Sequence, residues 1–426
     1  MRKSASIFAV LFLFMACLSF GQAILCPDLK EAMENSRDGE FRVIVEMKEQ
    51  FDIDTIRQNV RNTKEAKQEI METLKKKSND SQEWVRNFLQ NNQRFQKVEE
   101  IHSFWLVNAV SFKSNANVIR ELAANEDIKG IYLCKEEQMI HPIAATSRET
   151  KAWGVKHIKA DKAQASGVTG KGIVVAVVDT GVNLNHPGFA PGQVLANLGK
   201  SFVSGEADAE DGHGHGTHCA GTVASAEYGV APDAKIVPVK VLSKSGSGSW
   251  DGVMKGVQYA AETADLMSMS LGGGASASGN VVETAVKNAI KAGIHCVIAA
   301  GNSGPNAKTI GTPGVVLEAV TVGAIDNKGV IASFSSRGPT VYNTSKPEIV
   351  APGVNVPSLW KNGGTNTISG TSMATPHVAG LVALILSTNK SLTPEQVKAL
   401  LIKTAFGTKQ VNVYGDGCVD ADASTK

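Results

Sequence analysis

Apolar and polar residues follow regular patterns in the early part of the chain, before residue 145. In residues 41–47 every second side chain is apolar, with Arg42 and Glu46 between them, which predicts a half-buried strand. A Lys- and Glu-rich stretch predicts a helix with solvated faces over 56–89. Further strands are predicted at 104–112 and 128–133, with a helix at 117–124. Strands with helices between them indicate a small α+β unit.

From Trp153 onward the pattern changes to short apolar runs that alternate with helical segments. The runs are bounded by Gly or Asp and predict strands buried on both faces, at 173–178, 236–242, 266–271, 294–299 and 319–324. Helices are predicted at 215–225, 250–263, 281–292, 372–386 and 394–404. This alternation predicts an α/β domain with a largely parallel sheet flanked by helices. Ligands bind such sheets at the carboxyl ends of the strands.

Both ends of the early part carry processing signals. The chain begins Met-Arg-Lys, continues with an apolar run over 7–18, and reaches the small-x-small sequence Gly21-Gln22-Ala23. This pattern predicts a secretory signal peptide over 1–23, because a membrane anchor needs about 20 apolar residues. Residues 140–150 contain Pro142 and small residues without periodicity, which indicates a protease-sensitive linker. We therefore predict a secreted, extracellular product with units at 24–142 and 143–426.

Composition adds little about partners. Lys plus Arg number 43 and Asp plus Glu number 41, a net charge of +2, so we expect neither a nucleic-acid nor a membrane partner, and a monomer. Cys26 and Cys134 lie early, and their pairing stays open. Cys219, Cys296 and Cys418 permit at most one bridge in the later part. The later part must therefore be stabilised by the buried core that a large domain can form, and not by a set of disulfides.

Asp179 and His215 are the first candidates for chemistry. Asp179 directly follows the apolar run 173–178, where a turn or cap residue is the simpler interpretation. His215 lies in a glycine-rich turn with His213 and His218 on either side, and the three could be metal ligands. The His-x-x-His spacing lacks the acidic partner of the His-Glu-x-x-His zinc motif, which weighs against a metal site.

Ser372 and Asn302 complete the candidate set. Ser372 follows Gly370 at the start of a predicted helix, where it could simply be a cap. At that position helix N–H groups and the positive end of the dipole would also stabilise an oxyanion formed by attack. Asn302 ends another apolar run in Ala-Ala-Gly-Asn, where a turn residue is the alternative.

Three motifs together resemble the active-site motifs of the subtilisin-like (subtilase) family. They are Asp179-Thr-Gly, His215-Gly-Thr-His-Cys-Ala-Gly and Gly370-Thr-Ser-Met-Ala-Thr-Pro-His. The order Asp, His, Ser is that of subtilisins and differs from chymotrypsin-like enzymes and α/β-hydrolases. Ala374 also replaces the second glycine of the esterase motif Gly-x-Ser-x-Gly. The early part, through residues 104–109, is similar to inhibitory propeptides of bacillopeptidase-F-like members.

The resemblance implies a serine endopeptidase made as a zymogen that removes its own propeptide. Ser372 would be the nucleophile, His215 the general base and Asp179 the residue that orients the imidazole. The Asn302 amide and the Ser372 N–H would form the oxyanion hole. Two rivals remain: a catalytically dead homologue that works as a binding module, and a metal-dependent hydrolase built on the histidines.

The resemblance also implies a peptide-binding cleft. Segments that would pair with an extended protein or peptide substrate are Gly246, Gly248, Ser270, Leu271 and Gly272. Ala300, Gly301 and Gly311 would line the pocket for the residue before the cut, and their small size favours large apolar or aromatic side chains. These glycines could instead serve only backbone turns.

No cofactor is expected for catalysis, and structural calcium is the open question. Residues 224–230 are shorter than the family's calcium loop, and Ser268 stands where Asn is common. Glu206, Asp208, Glu210 and Asp211 form an acidic loop that could hold a hard cation, although their spacing favours a solvated loop. Cys219 shares the predicted helix face of His215, and we expect a buried free thiol there.

Overall fold

A computed structural model describes residues 23–36, 39–60, 66–93, 98–147, 152–276 and 280–426. The predicted signal peptide lies outside the described residues except for Ala23. The described chain forms an early five-stranded unit and a later unit built on a seven-stranded sheet.

The early unit is the predicted small α+β fold. Its sheet has the order β1-β5-β2-β4-β3, and the strands are β1 Ile24–Leu25, β2 Glu40–Met47, β3 Val98–Phe104, β4 Ala109–Asn115 and β5 Ile128–Leu133. Its helices are α1 Pro27–Asn35, α2 Ile53–Asn59, α3 Ala66–Ser81, α4 Glu83–Gln93 and α5 Ala116–Ala123.

The two faces of strand β2 pack against different parts of the molecule. Val43 and Val45 lie in the core of the early unit. Ile44 belongs to a second apolar cluster shared with the later unit, and Arg42 reaches Asp251 there. Alternation along β2 therefore separates an internal core from an interface between the units.

Two predictions for the early part were wrong in detail. The single helix predicted at 56–89 is divided among α2, α3 and α4. The strand predicted at 104–112 is a hairpin, because residues 105–108 form the turn between β3 and β4. Trp105 in this turn donates from its N–H to Gln258 at 2.8 Å and from Nε1 to Glu262 at 3.0 Å. The turn is apolar because it is buried against the later unit.

Two short strands lie around the start of the predicted linker: β6 at Glu136–Gln138 precedes it, and β7 at Ile143–Ala144 lies within it. The parallel sheet that follows has the order β15-β14-β13-β12-β8-β10-β9. Its strands are β8 Val174–Asp179, β9 Lys200–Ser201, β10 Lys235–Lys240, β12 Leu266–Met269, β13 His295–Ala299, β14 Val320–Ile325 and β15 Ile349–Pro352. The remaining strands are β11 Ser247–Ser249, β16 Val356–Leu359 and β17 Thr365–Ser369. The predicted α/β class is confirmed.

Helices cover both faces of the parallel sheet. They are α6 Trp153–His157, α7 Ala160–Ala165, α8 His215–Ala224, α9 Trp250–Thr263, α10 Val281–Lys291, α11 Thr371–Thr388, α12 Pro394–Thr404 and α13 Ala421–Ser424, with a short 3₁₀ helix at Ala196–Leu198. Val175 and Val177 of β8 pack toward α8 and α11, whereas Ala176 and Val178 pack toward α9 and α10. The early unit lies over α9 and α10.

Helix α11 is the central helix of the later unit. Among the described helices it alone has the length and apolar composition of a membrane span. Its residues from Thr371 to Leu386 are buried against the sheet, as expected for the core helix of a large domain. The cysteines Cys26, Cys134, Cys219, Cys296 and Cys418 are all free thiols.

Candidate active site

Asp179 and His215 meet where two elements converge. Asp179 ends β8 and His215 begins α8, and His215 Nδ1 lies 2.8 Å from Asp179 Oδ1 and 3.0 Å from Oδ2. Both side chains are fully buried. The elements approach so closely that a Cβ at Gly216 would lie 2.0 Å from the Gly181 carbonyl oxygen. Glycine at 216 is therefore required for this contact.

The electrostatics of His215 favour its cationic form. Burial by itself lowers the pKa of the imidazole, but the adjacent Asp179 carboxylate outweighs it, and the pKa lies well above its ordinary value. His215 Nε2 has no hydrogen-bond partner among the described residues. The base-side nitrogen is thus free to accept a proton from a neighbouring group.

Ser372 lies in the first turn of α11, next to His215 in the cleft. Its Oγ donates to the carbonyl of Ser270 at 3.0 Å, and Ser270 Oγ donates to the carbonyl of Ser372 at 2.8 Å. The Ser372 hydroxyl is therefore bonded to Ser270, and within the described residues no hydrogen bond joins it to His215 Nε2.

Asn302 is fixed in one orientation by its neighbour. Its Oδ1 accepts from the backbone N–H of Thr371 and from Thr371 Oγ1, both at 2.9 Å. Because a backbone N–H can only donate, Oδ1 must face Thr371 and Nδ2 must face the cleft. Nδ2 donates to the carbonyl of His141 at 3.1 Å. Sequence analysis missed Thr371, although it lies in the same motif as Ser372.

Residues 136–144, which include the start of the predicted linker, run through this cleft and are strand-paired at both ends. Strand β6 pairs antiparallel with β11, with Gln138 opposite Ser247 and Glu137 opposite Gly248. Met139 then donates to the carbonyl of Gly246 at 3.1 Å and accepts from the N–H of Gly272 at 2.9 Å.

Beyond His141 the linker remains paired. Strand β7 runs antiparallel to β17, with Ile143 opposite Ser369 and Ala144 opposite Ile368. The carbonyl of His141 is thus held at Asn302 between two paired segments. Sequence analysis did not find β17 as a binding edge, because strand pairing across more than 200 residues leaves no local signal.

A cavity of about 430 Å³ opens beside His141. Its walls include the predicted residues Leu271, Gly272, Ala300, Gly301 and Gly311. At Gly311 a Cβ would lie 2.7 Å from the carbonyl oxygen of Gly273, so a side chain there would push two walls apart. Gly246 and Gly248 pair with the linker, and Ser270 contacts Ser372, so all the predicted residues border the cleft.

The histidines do not form a metal cluster. His218 Nε2 bonds to the carbonyl of Val356 at 3.0 Å, and burial lowers the pKa of its ring to about 3. Within the described residues, the one group of three potential ligands comprises Asp179, His215 and Cys219. His215 Nδ1 and Asp179 in this group are hydrogen-bonded directly to each other at 2.8 Å.

The acidic loop is also committed to protein contacts. Glu206 pairs with Lys240 at 2.9 Å, Glu210 accepts from Leu184 N, and Asp208 accepts from the N–H of Glu210. These carboxylates do not converge on one point. The expectation of a solvated loop holds for exposed Asp208 and is wrong for Asp211, which is 4% exposed and accepts protein donors.

The fold and the site define a class of enzyme. A serine at a helix start, an imidazole held by a buried carboxylate, and an amide that donates to a peptide carbonyl are the parts of a serine hydrolase. Edges on both sides of that carbonyl suit an extended polypeptide. The class is therefore that of serine peptidases.

Comparison with known proteins gives the family. The subtilase family model (peptidase family S8) matches residues 170–417. The serine protease AprX of Bacillus subtilis (strain 168) is 38% identical over 361 residues, which covers 75% of this chain and 79% of AprX. Subtilisin DY of Bacillus licheniformis is 40% identical over 286 residues, covering 65% of this chain and all of that protein.

A solved structure agrees. The crystal structure of a cold-adapted subtilisin-like serine proteinase is 43% identical, with a TM-score of 0.52, and covers 59% of this chain and 88% of that one. The chain belongs to the subtilase family and is a subtilisin-like serine peptidase. The closer likeness of its early unit to bacillopeptidase-F-like propeptides stays a prediction.

Proposed function

We propose that the protein is a secreted serine endopeptidase made as a zymogen, whose early unit, 24–142, is an inhibitory propeptide. One observation carries the proposal: Asn302 holds the carbonyl of His141 at the N-terminal end of α11, the helix that carries Ser372, and paired strands lie before and after His141. A segment bound in this way is positioned as a substrate. Its supporting contacts come from both units of the same chain.

The proposed reaction starts with rotation of Ser372 Oγ toward His215 Nε2. His215 takes the hydroxyl proton as Oγ attacks the carbonyl carbon, and Asp179 holds the imidazole and stabilises its cation. The oxygen becomes an oxyanion beside Asn302 Nδ2, and the charge strengthens that hydrogen bond. His215 then gives its proton to the leaving nitrogen, which leaves an acyl-enzyme that water hydrolyses.

The bond held in the cleft joins His141 to Pro142, one bond before the junction predicted after residue 142. Its leaving nitrogen is the ring nitrogen of proline, which carries no hydrogen. The ring puts a carbon in place of that hydrogen and so crowds the nitrogen that His215 must protonate. We propose that this register makes removal of the early unit slow, which keeps the precursor inactive during export.

The cavity supports a preference for large apolar or aromatic residues before the cut. Its volume of about 430 Å³ is at the small end of ligand pockets, and small residues line it. A peptide with Phe at that position is expected to have a kcat/KM about 10–100 times that of the Ala peptide. A matched pair of chromogenic peptides measures this, and equal values would contradict the preference.

We propose that the chemistry needs no metal, since Asp179 and His215 contact each other directly. A chelator is expected to leave kcat unchanged, and loss of thermal stability in chelator would indicate structural calcium. A metal-dependent hydrolase would instead lose kcat in chelator and resist a serine-directed phosphonate.

The central experiment compares the full-length chain with its Ser372→Ala variant after purification from a protease-deficient host. The parent is expected to shed its early unit, and the variant is expected to stay intact. Ser387→Ala, which removes a hydroxyl from the far end of the same helix, is the matched control and should process normally. If the Ser372→Ala chain still shortens alone, processing is not autocatalytic.

A further inference from the structure

A buried carboxylate beside the catalytic pair has no part in the reaction described above. Asp211 lies four residues before His215, is 4% exposed, and accepts hydrogen bonds with both oxygens. Every partner is a protein donor on one of the two segments that carry Asp179 and His215.

Asp211 Oδ1 connects the two segments. It accepts from Thr180 Oγ1 at 2.9 Å, and Thr180 directly follows Asp179. The same oxygen accepts from the N–H groups of His213 at 2.9 Å and Gly214 at 2.8 Å, which directly precede His215. One oxygen atom thus holds the neighbours of both catalytic residues.

Asp211 Oδ2 fixes the other side of His215. It accepts from the N–H of Thr217 at 2.9 Å and from Thr217 Oγ1 at 2.7 Å. Thr180 Oγ1 completes the connection by accepting from the N–H of Gly216 at 2.9 Å. Residues before and after His215 are therefore anchored to one carboxylate.

The segment that carries Asp179 has a second support. Lys240, 1% exposed, donates to the carbonyl of Thr180 at 2.6 Å and to that of Glu210 at 3.2 Å. The carbonyl of Thr180 is thus held by Lys240 and its hydroxyl by Asp211, so the residue beside Asp179 has little freedom to move.

We propose that Asp211 is a positioning residue that sets the separation of Asp179 and His215, and so keeps the imidazole aligned for proton transfer. The inference rests on the proposed roles of Asp179 and His215. A carboxylate suits this task because it accepts from five donors without offering one of its own. Its negative charge also lies at the N-terminal end of α8, where the helix dipole favours an anion.

Asparagine at 211 cannot satisfy all five donors. Its amide nitrogen would face either the Thr217 pair or the Thr180, His213 and Gly214 group, donor against donor. One side of the connection must open, and the distance from His215 to Asp179 changes. A misplacement of about 1 Å in a catalytic group can cost about 10²-fold in rate.

The first experiment measures kcat and KM of Asp211→Asn on a chromogenic peptide, with active sites titrated by a phosphonate. We expect kcat to fall about 10–100-fold and KM to stay within about twofold, because none of the donors to Asp211 named above lines the cavity beside His141. Asp208→Asn is the matched control, since it removes the same charge from an exposed position of the same loop, and its kcat should stay within about twofold.

The second experiment observes the hydrogen bond directly in the full-length Ser372→Ala chain. The proton between His215 Nδ1 and Asp179 is strongly deshielded and gives a far-downfield resonance in the proton NMR spectrum. Adding Asp211→Asn should shift or broaden this resonance, whereas adding Asp208→Asn should not. This measurement needs no turnover, so it is independent of whether the parent processes itself.

The inference is overturned if Asp211→Asn keeps kcat within about threefold, or if it loses activity and melting temperature while the resonance is unchanged. Should Asp211→Asn fail to fold, Thr180→Val takes its place, since it removes only the hydroxyl tie, and Thr180→Ser should restore the parent values. A parent whose activity survives Ser372→Ala would refute the proposed function itself, which is a different result.

Discussion

Removing the amide of Asn302 tests the proposed oxyanion hole most directly. Asn302 Nδ2 lies 3.1 Å from the carbonyl oxygen of His141, an ordinary distance for a neutral acceptor. When attack gives that oxygen a full charge, the hydrogen bond becomes charge-assisted and about twice as strong. An interaction that strengthens only during reaction raises kcat and leaves KM almost unchanged.

The expected loss can be stated in numbers. Removal of one such donor costs about 10²–10³ in kcat, or about 2.7–4 kcal/mol. Asn302→Leu should show this loss with KM within about threefold. It also leaves the N–H and hydroxyl of Thr371 without the Oδ1 acceptor, which should lower the free energy of unfolding by about 1 kcal/mol.

A second variant separates catalysis from folding. Asn302→Asp keeps an oxygen for both Thr371 donors, so its melting temperature should stay near that of the parent. It supplies no donor and adds a negative charge beside the oxyanion, so its kcat should fall at least as far as that of Asn302→Leu. Thr371→Val is the control, because it removes the hydroxyl that contacts Asn302 and Gly301 and leaves the Asn302 amide in place.

The assay follows kcat and KM on a chromogenic peptide, together with the rate at which the precursor sheds its early unit. The second rate contains no substrate-binding step, and both rates should fall together. If either Asn302 variant folds normally and loses less than tenfold in both rates, Asn302 is not the oxyanion donor.

Three further predictions concern the precursor. Pro142→Ala should speed the first cut severalfold, as seen by gel electrophoresis over time. His215 must be neutral to act as a base, and Asp179 raises the pKa of His215 above its ordinary value. Processing should therefore be slow at acid pH and should become faster as the pH rises through that raised pKa. Asp179→Asn should lower the pH midpoint of processing and cut its maximal rate by about 10⁴. Arg42→Ala leaves buried Asp251 without its partner from the early unit, and the cleaved early unit should dissociate about 10–100-fold faster.

Matched controls accompany these variants. Lys113→Ala removes a cation whose partners, Glu40 and Glu99, belong to the early unit, and dissociation should not change. If the early unit of Arg42→Ala dissociates at the parent's rate, the Arg42–Asp251 pair does not hold the cleaved early unit in place. If Pro142→Ala is cut at the same rate as the parent, the proposed delay is refuted. If Asp179→Asn leaves the pH midpoint of processing unchanged, the titration of His215 does not set that midpoint.

Local patterns predicted the parallel sheet because buried strands are short apolar runs and helices have clear starts. Trp250–Thr263 and Pro394–Thr404 were predicted with the observed bounds, since Ser249 and Thr393 cap them within the sequence itself. The turn at 105–108 could not be predicted, because its apolar residues are buried by the other unit. An apolar run indicates burial but not which partner buries it.

The site residues likewise fall into those that local sequence patterns predicted and those that only the fold identifies. Asp179, His215, Ser372 and Asn302 carry sequence motifs, and the structure brings all four to one cleft. Asp211 lies four residues before His215 and looked like one more acidic loop residue, because its proposed role depends on donors from Thr180 and Thr217 that only the fold brings within reach. Binding edges such as β17 depend on long-range pairing and have no counterpart in local spacing.

The linker in the cleft gives the precursor two barriers in series. Because the segment is tethered to its own enzyme, its effective concentration is in the millimolar range, and external peptides compete poorly with it. A cut after His141 would allow β7 to leave β17 and open one half of the cleft, while residues 136–139 stay paired with β11, Gly246 and Gly272. The nicked molecule would still be blocked, so the onset of activity is governed by departure of the early unit and not by the cut itself.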